Sequence, residues 1–235
     1  GKTIRERALA LINIAHPDYR GELLDFVRTK HYVQADEEVW RQITERFPLD
    51  WVETRKFGEH ELLVRPIRAD DERKLQEFFY SHDPETIYQR YFHMKTQLGH
   101  EEAAMACSVD YSNRMAFAVF KRYEREAEKI VGIGRYELNH RSNIAETSFV
   151  VHEDFRGIGI GTYLLDRISE YAKDQGIAGI QSEILASNKQ ALDMHERLGH
   201  EMSYDEEDKV YRIEHRWERR RQPRRGREPH ERASR

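Results

Sequence analysis

The stretch Phe155-Arg156-Gly157-Ile158-Gly159-Ile160-Gly161-Thr162 sets three glycines at alternate positions directly ahead of an apolar helical pattern. Glycine is a poor helix former, so a helix that begins on a run of it begins there for a reason. Without a Cβ, the backbone can come close to a bulky anion. The first amides of a helix lack an internal partner, and partial positive charge gathers on them. Together these predict a phosphate site at the head of the helix. The plainer alternative is a glycine-rich turn from strand to helix with no ligand. Arg156 either adds charge to the site or shapes the turn. The Gly-Lys-Ser/Thr ending of a nucleoside-triphosphate loop is absent, because Thr162 follows Gly161 directly. The spacing also differs from the Gly-x-Gly-x-x-Gly of dinucleotide folds.

The flanking pattern predicts a mixed α/β (α+β) architecture, a twisted central sheet with helices on its faces. Leu164, Ile168 and Tyr171 recur at helical spacing, and that helix is expected to close near Gly176. Upstream, Glu61 to Arg68 reads as a strand. Asp70 is expected to cap a helix running to Tyr80, and Asp83-Pro84 to start another. Three strands follow, at 115–123, 129–138 and 143–151. Downstream, Ile177 to Leu185 reads as a strand. Ser187 and Gln190 make a capping-box pattern for a helix reaching Leu198. A hairpin over 200–217 ends the domain. Residues 1–58 read as helices throughout, including 3–15, 17–32 and 35–47. Three regions result: a helical segment 1–58, a sheet domain 59–217 and an arginine-rich tail 218–235.

Arg156-x-x-Gly159-x-Gly161 resembles the Arg/Gln-x-x-Gly-x-Gly/Ala signature of the GNAT superfamily of N-acyltransferases. The resemblance covers about residues 61 to 217 and includes the strand order, the preceding Phe149-Val150-Val151 and Asn188 in the helix after the next strand. It implies the GNAT fold with acetyl-CoA as cosubstrate and no metal. The amides of Gly157, Ile158, Gly159, Ile160, Gly161 and Thr162 would then hold the CoA pyrophosphate. The strand backbone at Phe149, Val150 and Val151 would pair with the pantetheine arm, and Asn188 would contact it. More narrowly, the stretch 145–161 and the segment Ile87 to Phe92 resemble bacterial protein lysine acetyltransferases. Residues 1–33 resemble the carboxy-terminal end of the acetyl-CoA hydrolase and CoA-transferase family. That would make the natural protein a fusion, with the first enzyme's active site outside this chain.

Transfer of an acyl group from CoA to an amine makes definite demands. Lysine has a pKa near 10.4, and only its neutral form attacks. The thioester oxygen needs donors as it gains charge. Glu146 stands just before the signature and matches the glutamate that the resembled enzymes use as general base; by position alone it reads as a surface carboxylate. The oxyanion donor is expected from the backbone of Val150 or Val151. His195 occupies the position, seven after Asn188, where many members carry a tyrosine that protonates the thiolate. It is either such an acid or a helix-face residue without that role. The implied acceptor is a protein lysine, with an acyl-CoA synthetase as a candidate. A small amine is the alternative substrate. A third reading is a non-catalytic acyl-CoA-sensing module for the fused CoA-transferase.

The remaining features bound these readings. The tail from Glu218 holds eight arginines and three glutamates, a net +5, which leaves the rest of the 235 residues at −9. An acidic body argues against a nucleic-acid partner, and the tail is expected to be solvated and disordered. No apolar run approaches the roughly 18 residues a membrane span needs, so no membrane partner is expected. Cys107 is the single cysteine, which fits a reducing, cytoplasmic setting, and it reads as a core residue. His195 and His200 are five apart, so His195-Glu196-Arg197-Leu198-Gly199-His200 fails the HExxH spacing and no metal site is expected. Arg90-Tyr91-Phe92 reads as packing.

Overall fold

The computed structural model describes residues 7–8, 11–12, 15, 17–32, 47–123 and 128–217. A helix α1, Pro17–Thr29, precedes the sheet domain. The expected helix at 35–47 lies almost wholly outside the described residues, as do most of the helix at 3–15 and the arginine-rich tail.

The sheet begins earlier than the helical reading of 1–58 allows. β1, Glu53–Phe57, pairs antiparallel with β2, His60–Pro66, through a turn at Gly58 with φ +55°. β1 is an edge strand with polar, exposed residues at 54–56, so it carries no alternation to betray it. A 3-10 turn over Ala69–Asp71 then leads into α2, Glu72–Tyr80. The cap position is therefore Asp71 rather than Asp70. The fully buried Asp71 carboxylate receives a two-pronged pair from Arg65 at 2.6 and 2.8 Å, the Arg68 amide at 2.9 Å and Lys74 at 2.9 Å. These partners hold its pKa below the ordinary carboxylate range against the effect of burial.

α3, Pro84–Tyr91, starts on Asp83-Pro84 as expected, and α4, His100–Cys107, follows. Next come β3, Arg114–Lys121, β4, Lys129–Asn139, and β5, Ile144–Val151. α5 is Ile160–Asp174 and β6 is Gly179–Leu185. α6, Lys189–Arg197, precedes the terminal hairpin of β7, Met202–Asp205, and β8, Val210–Arg216. Among the described residues the strands form one eight-stranded sheet ordered β1-β2-β3-β4-β5-β6-β8-β7. The β5/β6 pair is parallel and the others are antiparallel.

β3 shows how the sheet is clad. Met115, Phe117 and Val119 pack towards α5, while Ala116, Ala118 and Phe120 pack towards α2 and α4, all of them fully buried. A strand buried on both faces reads as a continuous apolar run, as this one does. α5 covers its face with Ile160, Leu164, Ile168 and Tyr171, the spacing the sequence predicts. A Cβ at Gly134 would meet the Phe149 ring at 2.8 Å and Leu164 at 3.1 Å, so glycine lets β4, β5 and α5 close together there. Cys107 is buried in the α2/α4 core, and burial pushes its thiol up to about 12, so it is inert as a nucleophile.

Candidate functional site

The site starts from a defect in the sheet. β5 and β6 are paired only from Ile144↔Gly179 to Glu146↔Gln181, yet β5 continues to Val151 and β6 to Leu185. Beyond Glu146 the two strands part, and the Thr147 hydroxyl bridges to the Gln181 carbonyl at 3.0 Å. Against β4, β5 stays in register to the end, Val151 opposite Gly132 and Val150 opposite Ile133. The His152 amide donates to the Val131 carbonyl at 2.9 Å, which fixes the alternation of the ladder. Val150 and Ser148 therefore turn their backbone groups to β4. Phe149 and Val151 turn theirs to the open side. Of the two oxyanion donors the sequence offered, Val150 is used up in the sheet and Val151 keeps a free amide. The Val151 carbonyl is taken by Arg156 Nε at 3.1 Å.

That last bond decides the role of Arg156. Its guanidinium also donates to Thr86 Oγ1 at 2.6 Å and lies 3.5 Å from Glu153 Oε1. Arg156 ties the end of β5 to α3 and shapes the turn. The Thr86 hydroxyl and the Asp83 amide donate to Glu153 in turn, which is held down to about pKa 2 despite burial. After this brace the chain turns through Gly157, φ +74°, and Gly159, φ +94°, and α5 begins at Ile160. Gly159 occupies the cap position, no side chain caps the helix, and no carboxylate stands in its first turn. The amides of Ile160, Gly161 and Thr162 are therefore left without an internal partner. A Cβ on Gly157 or Gly159 would meet nothing within 4 Å, so the space over the turn is open.

Asn188, rather than Ser187, caps α6, its Oδ1 accepting from the Ala191 amide at 3.2 Å. The turn in which the Asn188 amide donates to the Leu185 carbonyl delays the helix by one residue, so Ser187 falls outside it. With Oδ1 engaged, the Asn188 NH2 remains to donate into the groove.

Two cavities meet along the parted strands. One, of about 360 Å³, runs over Phe149 to Val151, the glycine turn, Thr162 and Asn188. The other, of about 900 Å³, is walled by Glu146, Ser148, His195, Glu201, Arg212 and Glu214 among others. They share Gln89, Arg90, Phe149, Asn188, Ala191 and Met194, so the two are continuous. Glu146 is exposed on the wall of the larger cavity and accepts from Gln181 Nε2 at 3.0 Å. Among the described residues neither Glu146 nor Glu201 has a cationic partner. Arg212 spends its charge on Glu183, Asp205 and Asp208.

His195 does not suit the acid role. It is buried, its Nδ1 lies 2.9 Å from His200 Nδ1, and burial followed by the His200 charge pushes it down to about 4. The imidazole is neutral at pH 7, without the ready proton the role requires. Arg90, Tyr91 and Phe92, read from sequence as packing, line the larger cavity, and Phe92 sits at φ +62° where α3 ends. Glu201, Arg212 and Glu214 escaped the sequence reading because strand register and helix placement, not spacing, bring them to the same cavity as Arg90. No cluster of three metal-capable side chains occurs among the described residues.

An α/β sheet whose central strands part beside an uncapped glycine-led helix is the architecture of a CoA-dependent acyltransferase. The acetyltransferase (GNAT) family sequence profile matches residues 70–200, and the chain belongs to that family. It is an N-acetyltransferase with acetyl-CoA as cosubstrate. "Acetyltransferase PA5475" of Pseudomonas aeruginosa is 26% identical over 149 residues, 63% of this chain and 79% of that protein. "Thialysine N-epsilon-acetyltransferase" of Bos taurus is 30% identical over 80 residues, 32% of this chain and 47% of that protein. In structure, the GNAT domain of S. lividans PAT superposes with a TM-score of 0.66 at 23% identity, covering 73% of this chain and 100% of that domain.

Proposed function

We propose that the chain acetylates the ε-amine of a protein lysine by direct transfer, with Glu146 as general base. The carrying observation is that β5 leaves β6 immediately after Glu146, on the wall of the larger cavity, and that the two cavities join three residues further on, at Phe149. The uncapped amides of Ile160 to Thr162 receive the CoA diphosphate, with Gly157, Ile158 and Gly159 shaping the turn. The free edge of Phe149 and Val151 pairs with the pantetheine amides, and the Asn188 NH2 donates to the same arm. The pantetheine takes the Val151 end of that edge, so the thioester lies near the free Phe149 amide, on the Glu146 side, and that amide donates to the developing oxyanion. The lysine nitrogen bonds to the acyl carbon, the carbon–sulfur bond breaks, and the thiolate leaves with its electron pair. Glu146 takes the amine proton, directly or through one water. Thiolate leaves without an acid, so His195 is a packing residue beside the cavity.

The unpaired carboxylates of Glu146 and Glu201 favour a cationic acceptor. A small amine is the second reading, since the same unpaired carboxylates would also receive a small cation. A side chain such as Glu146 on that wall supports catalysis over a purely acyl-CoA-sensing role. The resemblance of residues 1–33 to a CoA-transferase end leaves room for regulation by a fused partner. A single buried thiol suits the cytoplasm. The test is incubation with acetyl-CoA and either folded proteins, an acyl-CoA synthetase with an active-site lysine first, or a panel of small amines, read by mass spectrometry. Acetylated lysines that vanish with Glu146→Gln support the reading. Acetylation of small amines alone overturns it.

A further inference from the structure

One guanidinium stands where the cavities join and a second stands close behind it, with Glu137, two residues along the same strand, only partly offsetting the second. Arg90, on α3, lines both cavities. Arg135, on β4, sits opposite Ser148, midway between the register positions of Glu146 and Val150 and on their face of the sheet. Both are half-buried. Neither makes an ion pair or a side-chain hydrogen bond among the described residues, and the ring contact of Arg90 with Tyr91, 5.0 Å, neutralises nothing. Burial and the neighbouring Arg90 push Arg135 down to about 10. Like charges brought together and half-desolvated are costly unless an anion joins them.

The place of Arg90 narrows what that anion is. Thr86, which the Arg156 brace holds at the glycine-turn end of the groove, lies one helical turn before Arg90, about 6 Å along the axis. Arg90 therefore points one step past the phosphate end, towards the strand edge where an acyl group meets the larger cavity. Glu146 and Glu201 line the larger cavity alone, where the amine enters, and repel an anionic acceptor. An anion arriving with the acyl donor fits, and an anion arriving with the amine does not.

We propose that this site accepts acyl-CoA donors whose acyl group ends in a carboxylate, the monothioesters of three- or four-carbon dicarboxylic acids, with Arg90 pairing that carboxylate and Arg135 reinforcing it from behind. The inference rests on the reading that CoA lies along the smaller cavity. In the transfer, the amine nitrogen bonds to the thioester carbon, the carbon–sulfur bond breaks, the thiolate leaves and the amine proton passes to Glu146. The terminal carboxylate is unchanged, so a modified lysine goes from a positive to a negative charge.

Titration calorimetry without acceptor tests this on the full chain, using free CoA, butyryl-CoA and succinyl-CoA, the last two nearly equal in length. The wild type is expected to bind succinyl-CoA about 10-fold or more tighter than butyryl-CoA, as a charge-assisted arginine–carboxylate pair predicts. Arg90→Gln is expected to bring the ratio close to one, and Arg90→Lys to restore part of it. Equal wild-type affinities, or a ratio that survives Arg90→Gln, overturns the proposal. So does a loss of free-CoA affinity in Arg90→Gln as large as the loss for succinyl-CoA, which would give Arg90 to the phosphates. Free CoA that binds without any succinyl preference sinks this inference alone, whereas a chain that binds no CoA sinks the underlying reading as well.

Discussion

Replacing Gly159 by alanine separates the two demands that the glycine turn meets. Gly159 holds φ +94°, ψ 1°, beyond the left-handed basin that L residues tolerate. A side chain there costs about 1–3 kcal/mol in backbone strain. No steric term adds to it, because the new Cβ would meet nothing within 4 Å. For a domain of this size each kcal/mol shifts Tm by about 2–4 °C, so a fall of roughly 4–8 °C is expected from a central cost of about 2 kcal/mol. The open space that spares the free protein a clash is the space over the Ile160, Gly161 and Thr162 amides. The methyl group, or the backbone rotation that relieves its strain, therefore lands on the anion site. CoA affinity is expected to fall about 10- to 100-fold, equivalent to about 1.4–2.8 kcal/mol. Thermal unfolding without ligand and calorimetry with free CoA read the two effects separately. A Gly159→Ala protein that loses stability yet binds CoA as the wild type does would falsify the anion role of this turn.

Glu146→Gln keeps the Gln181 contact but cannot take a proton, so kcat is expected to fall about 10²- to 10⁴-fold with little change in acetyl-CoA affinity; steady-state kinetics that show full turnover in the folded variant end the base assignment. Burial depresses His195 to about 4, so below about pH 6.5 the unfolded chain takes up a proton that the folded one refuses. His195 thus supports full stability above about pH 6.5 and loses it progressively as pH falls towards about 4. His200 is depressed as well and adds to the same limb. Urea titrations across that range are expected to show a shallower slope in His195→Phe, and an unchanged pH–rate profile in that variant is expected because the imidazole is no acid. Asp71→Ala strips the buried Arg65 of its two-pronged partner, while Glu128, at 2.9 Å, remains. A loss near 3 kcal/mol is expected, the low end for a broken buried pair; equilibrium denaturation that shows less than about 1 kcal/mol refutes the pairing as a stabilising element.

Local periodicity carried most of the fold. The face of α5, the two-sided run of β3 and the glycine turn are all features of neighbouring residues, and neighbouring residues are what a sequence lays out. β1 escaped because Thr54, Arg55 and Lys56 face solvent on an edge strand, which gives a polar run with one buried residue, Phe57, at its end. Capping failed by one residue at both Asp70 and Ser187. In each case the chain inserts a short turn, closed by the Arg68 and Leu185 carbonyls, before the helix proper. Within the site, the residues on or beside the glycine signature were legible. The wall of the larger cavity was not. Glu201 and Glu214 reach it through the β6/β8/β7 register, and Arg90 through the docking of α3, neither of which leaves a mark in spacing.

The point where β5 and β6 part organises the groove. A ladder that stops inside a sheet leaves backbone groups bare, and bare buried groups are costly. Here the stop is made safe from the side: the Thr147 hydroxyl donates to the Gln181 carbonyl, which a continuing ladder would have engaged through a backbone amide. The Gln181 side chain meanwhile holds Glu146, the last paired residue of β5. On the other edge, Arg156 takes the Val151 carbonyl and anchors it to α3. Between those two fixtures lies a strand edge with a few free amides and carbonyls, open to an extended ligand, with a carboxylate at one end and uncapped helix amides at the other. The same two fixtures that end the sheet without penalty therefore also set the distance between Glu146 and the uncapped helix amides.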